Sequence, residues 1–110
     1  MSNTEYRFVI ISAPMENLTE IAEKCVEKRF AACAQALPGI MSFYWWNDKV
    51  EKANEGLVFF KTLASGVEAL SDYVRSIHPY EVPEFISLPI DSGLPAYLEW
   101  IAEETGKDGA

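Results

Sequence analysis

The amino-acid sequence predicts an α+β domain in the order strand, helix, strand, strand, helix, strand, with one further helix at the C-terminus. Two observations indicate this class: β-branched and aromatic blocks alternate with segments whose apolar residues recur at helical spacing, and 49% of the 110 residues are apolar. A chain of this length can bury one core without metals or disulfides. We therefore expect a single domain over residues 1–110, with a frayed tail at 106–110.

The first strand and helix have clear boundaries in the sequence. Residues 6–11 are β-branched and aromatic, as in a central strand, and the residues 12–14 are expected to end it. Asn17 and Glu20 have the spacing of a capping box, and an apolar stripe follows them, so the first helix is predicted over residues 17–28.

A long β-hairpin is predicted next. Residues 30–37 and 40–46 are extended in character and are separated by Pro38-Gly39, which favours one long strand with a bend or bulge. Asn47-Asp48 is a two-residue turn signal, and the returning strand covers residues 50–62. The charged side chains of the returning strand, Glu55 included, are expected to form a solvated face.

The second half of the chain completes the pattern. Ser65 and Glu68 suggest another capping box, and the helix that follows must end before Pro79. A strand is predicted over residues 84–90, and Pro95 opens a short helix that ends near Gly106. This order is that of the split β-α-β-β-α-β, ferredoxin-like sandwich.

Charge and composition exclude several functions of this fold. Nine basic and seventeen acidic residues give a net charge of −8, which disfavours nucleic acid and anionic membranes as partners. No leader or spanning segment is recognisable, so we expect a soluble cytoplasmic protein. Two cysteines are too few for an iron-sulfur cluster or a disulfide framework, and no glycine-rich phosphate loop is present.

The chemically richest segment is residues 78–84, where the one histidine of the chain lies between a helix end and two prolines. His78 with Tyr80 and Glu84 could transfer protons or bind a cation. The alternative is that His78 interacts with the carboxyl end of the helix and Tyr80 packs. Both interpretations remain open at this point.

Three other positions have alternatives of the same kind. Cys33 is either a small buried hydrophobe or a reactive thiol, and Lys61, which ends an apolar strand, is either a site cation or a lysine that reaches water. Trp45 and Trp46 are adjacent on a strand and face opposite sides. At least one indole therefore lies outside the core of this chain or is covered by a partner chain.

Several segments together resemble the CutA divalent-cation tolerance family. These are Phe-Ala-Ala-Cys-Ala at 30–34, Leu-Pro-Gly-Ile at 37–40, Ser-Phe-Tyr-Trp-Trp at 42–46, His-Pro-Tyr-Glu-Val-Pro-Glu at 78–84 and Ala-Tyr-Leu-Glu-Trp-Ile at 96–101. The resemblance implies a ferredoxin-like homotrimer similar to the signal protein PII. It implies Cys33 and His78 as copper ligands, and Trp45, Lys61, His78, Tyr80, Glu84 and Tyr97 as residues of the cleft between subunits. Some relatives carry a second histidine where this chain has Ile77, which removes one imidazole from a metal site.

Three functions follow as hypotheses. The first is a trimeric protein of metal tolerance that binds copper weakly, needs no cofactor to fold, and senses a small ligand in its clefts. The second is an enzyme that uses His78 and Glu84 as acid and base. The third is a trimeric scaffold for another protein.

Overall fold

The computed structural model describes residues 5–106, which form four strands and three α-helices. The elements are β1 (Tyr6–Pro14), α1 (Met15–Glu27), β2 (Cys33–Trp46), β3 (Lys49–Leu63), a 3₁₀ turn (Ala64–Gly66), α2 (Val67–Ile77), β4 (Phe85–Pro89) and α3 (Pro95–Glu104). Of the expected tail, residues 107–110 lie outside the described residues. Gly106 has a φ of 72° and donates its N–H to the Arg29 carbonyl at 2.7 Å.

The sheet has the strand order β2-β3-β1-β4, and every neighbouring pair is antiparallel. This order confirms the predicted ferredoxin-like fold. Alternate residues of β1, namely Val9, Ile11 and Ala13, are fully buried beneath the helices. The other face of the sheet carries the intervening residues of β1 and β3, and we call it the open face.

The core lies between the sheet and helices α1 and α2. The apolar stripe of α1 places Leu18, Ile21 and Cys25 in this core, and α2 contributes Leu70 and Val74. From the sheet, Val9, Ile11, Val58 and Phe60 complete it. The helical periodicity seen in the sequence therefore identified the buried faces of both helices.

The starts of the first two helices differ from the prediction. β1 continues through Pro14, because Ser12, Ala13 and Pro14 still pair with β3, and α1 then begins at once at Met15. Ser65 lies inside the 3₁₀ turn before α2. Neither helix has a side-chain cap, so both capping-box predictions are wrong. α1 therefore begins where the pairing of β1 ends, whereas α2 begins where the 3₁₀ turn after β3 ends.

The β2–β3 hairpin extends well beyond the rest of the sheet. Pro14 pairs with Glu55, so residues 41–54, which we call the arm, form a ribbon of only two strands about 20 Å long. Its turn residues Asn47 and Asp48 have φ values of 51° and 62°, as a two-residue hairpin turn requires. The predicted bulge is confirmed between Leu37 and Ile40, where Gly39 has a φ of 74°. The arm accounts for the longest dimension of 49 Å.

Candidate functional site

His78 is held by hydrogen bonds on both ring nitrogens. It follows the last residue of α2, and the residue is 8% exposed. Nε2 lies 2.7 Å from the carbonyl oxygen of Ser12, and the Tyr80 backbone N–H donates to Nδ1 at 3.1 Å. Because a carbonyl only accepts and an amide N–H only donates, the ring is neutral and carries its proton on Nε2. The imidazole therefore has no free nitrogen in this chain.

The end of β4 explains why His78 reaches Ser12. β4 pairs with β1 only as far as Ile11, so the carbonyl of Ser12 is the first on that side without a β4 partner. The imidazole occupies the place that a further residue of β4 would take. The His78 ring thus satisfies a buried backbone group of β1, and not the carboxyl end of the helix that the sequence offered as the alternative.

Tyr80 connects this histidine to a buried carboxylate. Its hydroxyl donates to Oε2 of Glu55 at 2.6 Å, and its ring lies 4.9 Å from that of His78. Burial, and next the hydrogen bond to Glu55, raises the pKa of Tyr80 above its ordinary value. We call Ser12, Glu55, His78 and Tyr80 the root cluster, because they lie where the arm leaves the sheet.

Glu55 is a residue whose place the sequence did not indicate. The prediction of a solvated face along β3 is wrong at this position, since Glu55 is only 5% exposed. Glu55 is the first residue of β3 after the arm, and Tyr80 covers it from the loop after α2. The available signal was the adjacent Gly56, because a glycine inside a strand marks a close approach of other groups.

A second group of side chains lies on the open face at the opposite end of β3. Cys33 of β2 is directly opposite Lys61 of β3, and its thiol lies 3.7 Å from the Tyr97 hydroxyl of α3. Lys61 donates to the side-chain oxygen of Gln35 and lies 5.7 Å from the ring of Phe8. The hydrogen bond with Cys33, and next burial, raises the pKa of Tyr97. We call Cys33, Lys61 and Tyr97 the open-face cluster.

Within one chain the two expected copper ligands lie apart. Cys33 is aligned with Lys61, whereas the Ser12 carbonyl that holds His78 is aligned with Leu57. Four residues along a strand separate these levels by about 13 Å, and β3 lies between the two strands. Across residues 5–106 no three His, Cys, Asp or Glu side chains are grouped so as to hold a metal ion.

The remaining expected cleft residues belong to neither cluster. Trp45 is 75% exposed on the arm, and Trp46 beside it is 63% exposed. Both indoles lie outside the core, because the arm has no second layer on either side. Glu84 is exposed in the loop that leads into β4.

In the described part of the chain, no helix is long and apolar enough to span a membrane.

The topology, the two-stranded arm and the histidine at its base make this chain a ferredoxin-like α+β protein with an extended hairpin. The family model for the CutA1 divalent ion tolerance protein matches residues 7–104. The chain belongs to this family, which confirms the resemblance found in the sequence.

Relatives from distant organisms agree with this assignment. "Protein CutA" of Mus musculus is 47% identical over 96 residues, which are 86% of this chain and 54% of the mouse protein. The "Divalent-cation tolerance protein CutA" of Thermus thermophilus is 40% identical over 99 residues, covering 89% of this chain and 96% of that protein. The crystal structure of CutA1 from Oryza sativa has a TM-score of 0.92 at 38% identity, covering 97% and 100% of the two chains. The chain spans about half the length of its mammalian relatives.

Proposed function

We propose that this protein contributes to the tolerance of divalent metal ions, copper among them, and acts in the cytoplasm as a homotrimer. Family membership supports the role in tolerance, since the Thermus relative is named for it. The observation that carries the proposal for assembly is the arm. A ribbon of two strands is only marginally stable in water, and this one exposes large apolar side chains on both sides.

Exposure values along the arm show how much apolar surface a partner could cover. Phe43 is 67% exposed and Val50 59% exposed, in addition to the two tryptophans. The outer edge of β2 has no neighbouring strand over its whole length among the described residues. A closed threefold ring would pair such edges and cover the arm with a second and third copy.

The test of assembly uses light scattering on the purified protein. We expect a particle of three 12.4 kDa chains, and a stable monomer at micromolar concentration would contradict the proposal. Trp45→Ala, or Trp46→Ala, should cost about 3–5 kcal/mol wherever the indole is covered in the assembly. Val82→Ala is the matched control, because Val82 is 84% exposed on a loop outside the arm. It should leave both mass and stability unchanged.

Copper would bind weakly, and between subunits. Cys33 offers a soft, half-exposed sulfur, which suits copper better than magnesium or calcium. Since His78 already uses both nitrogens, a metal could bind its imidazole only after the bond to Ser12 or to Tyr80 breaks. Other ligands must then come from the clefts, which Trp45, Lys61, Tyr80, Glu84 and Tyr97 are proposed to line. A small-molecule signal of the kind sensed by PII-like trimers would use the same clefts.

Calorimetric titration with copper tests this site. We expect Cys33→Ser to abolish most of the binding and His78→Ala to weaken it less. Cys25→Ala, which alters a fully buried thiol, should leave the copper isotherm unchanged if the variant is folded. Chelation of metal should leave the mass and the melting temperature unchanged. A large drop in melting temperature would show that a metal is structural and would contradict the proposal.

The two alternatives differ in what they require of the root cluster. An enzyme with His78 and Glu84 as acid and base needs a ring nitrogen that can exchange its proton with a substrate. In this structure both nitrogens are bound within the chain, so the geometry gives the enzyme no specific support. A trimeric scaffold predicts the same assembly without any response to copper, and the titration separates it from the metal-tolerance role.

A further inference from the structure

A groove lies between α2 and the outer strand β4, on the helical side of the sheet and away from both clusters described above. Its volume is about 650 Å3, and a smaller hollow of about 240 Å3 adjoins it. The two share Ser71 and Phe85 in their walls, so they form one continuous depression. Their combined size is in the range of small-molecule sites.

The sheet side of the groove contains two polar atoms without a hydrogen-bond partner. Among residues 5–106, these are Nε of Arg7 and the hydroxyl of Ser87, and both are buried. Arg7 pairs with Pro89 and Ser87 pairs with Val9, so the two side chains are diagonal neighbours on β1 and β4. The Arg7 guanidinium also reaches Glu5 through Nη2 at 3.1 Å. The Arg7 side chain is 27% exposed and Ser87 beside it is half-buried, so this wall presents a cation and a hydroxyl that are suited to a carboxylate.

The helix side of the same groove is acidic. Glu68 and Asp72 both line it, and they are four residues apart on one face of α2. Like charges at this spacing repel each other, and neither forms an ion pair with any residue of the described range 5–106. An ammonium group placed between them would remove the repulsion.

The adjoining hollow differs in character from the groove. Val74 of α2 and Phe85 of β4 form its apolar inner wall, Val82 and Pro83 of the preceding loop close it, and the exposed residues Arg75 and Glu81 also line it. Its size and its apolar inner wall suit a branched aliphatic side chain, whose contact is with Val74, Phe85, Val82 and Pro83. The depression thus offers one wall for a carboxylate, one wall for an ammonium group and an apolar inner surface for a side chain.

From this arrangement we propose that the groove binds a free α-amino acid with an apolar side chain of about the size of leucine. The carboxylate faces Arg7 and Ser87, the ammonium faces Glu68 and Asp72, and the side chain enters the hollow. The site uses no residue of the root or open-face cluster, so it is independent of the proposed role in metal tolerance.

Three related compounds test the proposal on the unaltered protein, with a chelator present so that metal plays no part. Isothermal titration is carried out with L-leucine, with N-acetyl-L-leucine, which has no ammonium, and with L-leucine methyl ester, which has no carboxylate. We expect L-leucine to bind with one site per chain and each derivative to bind at least tenfold more weakly. Absence of L-leucine binding, or equal binding of all three compounds, would overturn the proposal.

Variants then locate the site. Ser87→Ala and Asp72→Asn should each lower the affinity for L-leucine about tenfold, while Ser65→Ala and Asp91→Asn, which alter exposed residues outside the groove, should not. Melting curves confirm that each variant is folded. Asp72 is exposed on a helix, so its variant remains informative even if Ser87→Ala does not fold. Unchanged affinity in Asp72→Asn would overturn the assignment of the groove.

Discussion

Replacing Tyr80 by phenylalanine measures how strongly the root cluster stabilises the fold. The substitution removes the hydroxyl that donates to Glu55 at 2.6 Å and leaves a carboxylate that is 5% exposed without that donor. Hydrogen bonds to charged groups contribute about 1.5–3 kcal/mol. Because Tyr80 is itself 38% exposed, water can partly replace the hydroxyl, and we expect a loss of about 1.5 kcal/mol in the free energy of unfolding.

Urea unfolding at a fixed protein concentration is the assay, since association would make stability depend on concentration. Tyr73→Phe, whose ring packs against Phe30 in the core, is the matched control and should change stability by less than about 0.5 kcal/mol. In the double variant with Glu55→Gln, the effect of Tyr80→Phe should shrink by about 1 kcal/mol, because the buried charge is gone. Equal effects of Tyr80→Phe in both backgrounds would refute the coupling between these side chains.

The pH dependence gives an independent measure of the same contact. The pKa of Tyr80 is raised in the folded chain, so above about pH 10 the unfolded chain loses this proton first. Stability linked to Tyr80 is therefore complete below about pH 10 and falls as pH rises beyond it. The difference in stability between the natural protein and Tyr80→Phe should narrow above pH 10. A difference that stays constant or grows would contradict the assignment.

Three further predictions concern the fold. Gly56→Ala should lower the free energy of unfolding by about 1–3 kcal/mol, because a Cβ there overlaps the buried side chain of Leu18. The double variant Gly56→Ala with Leu18→Ala should lose less stability than the sum of the two single variants. Asp48→Gly should stabilise the hairpin by up to about 1 kcal/mol, because Asp48 has a φ of 62°, and denaturant midpoints will measure it. A thiol reagent should modify Cys33 but not Cys25 in the folded protein, because burial raises the pKa of Cys25 to about 12. Both thiols should react after denaturation. Rapid reaction of both thiols in the folded protein would refute this prediction.

The sequence predicted those features of the fold that depend on neighbouring residues. Pro38-Gly39 indicated the bulge in β2, and Asn47-Asp48 indicated the turn, since each signal lies in the residues that adopt the conformation. Helix α3 begins at Pro95 as expected, because proline fixes a backbone angle suited to the first turn. The strand order then followed from the succession of elements.

Features that depend on distant partners could not be predicted in this way. Glu55 has the composition of a solvated strand, and it is buried only because Tyr80, 25 residues later, covers it. The partner of His78 is a carbonyl of β1 that is free because β4 is short, which no local pattern reveals. Cys33 and His78 were related through the family resemblance alone, and spacing along the chain carries no information on their separation in the sheet.

The position of β1 has a consequence for the synthesis of the chain on the ribosome. β1 is made before the other described strands, yet its second neighbour, β4, is the last strand to be made. About 75 residues separate their ends, so at 5–20 residues per second the edge of β1 waits about 4–15 s for its partner. During that interval the nascent chain can form a three-stranded sheet from β1, β2 and β3, in which the backbone groups of Phe8 and Ile10 at the edge of β1 are unpaired. A chain that stops before Phe85 keeps this edge open and should aggregate.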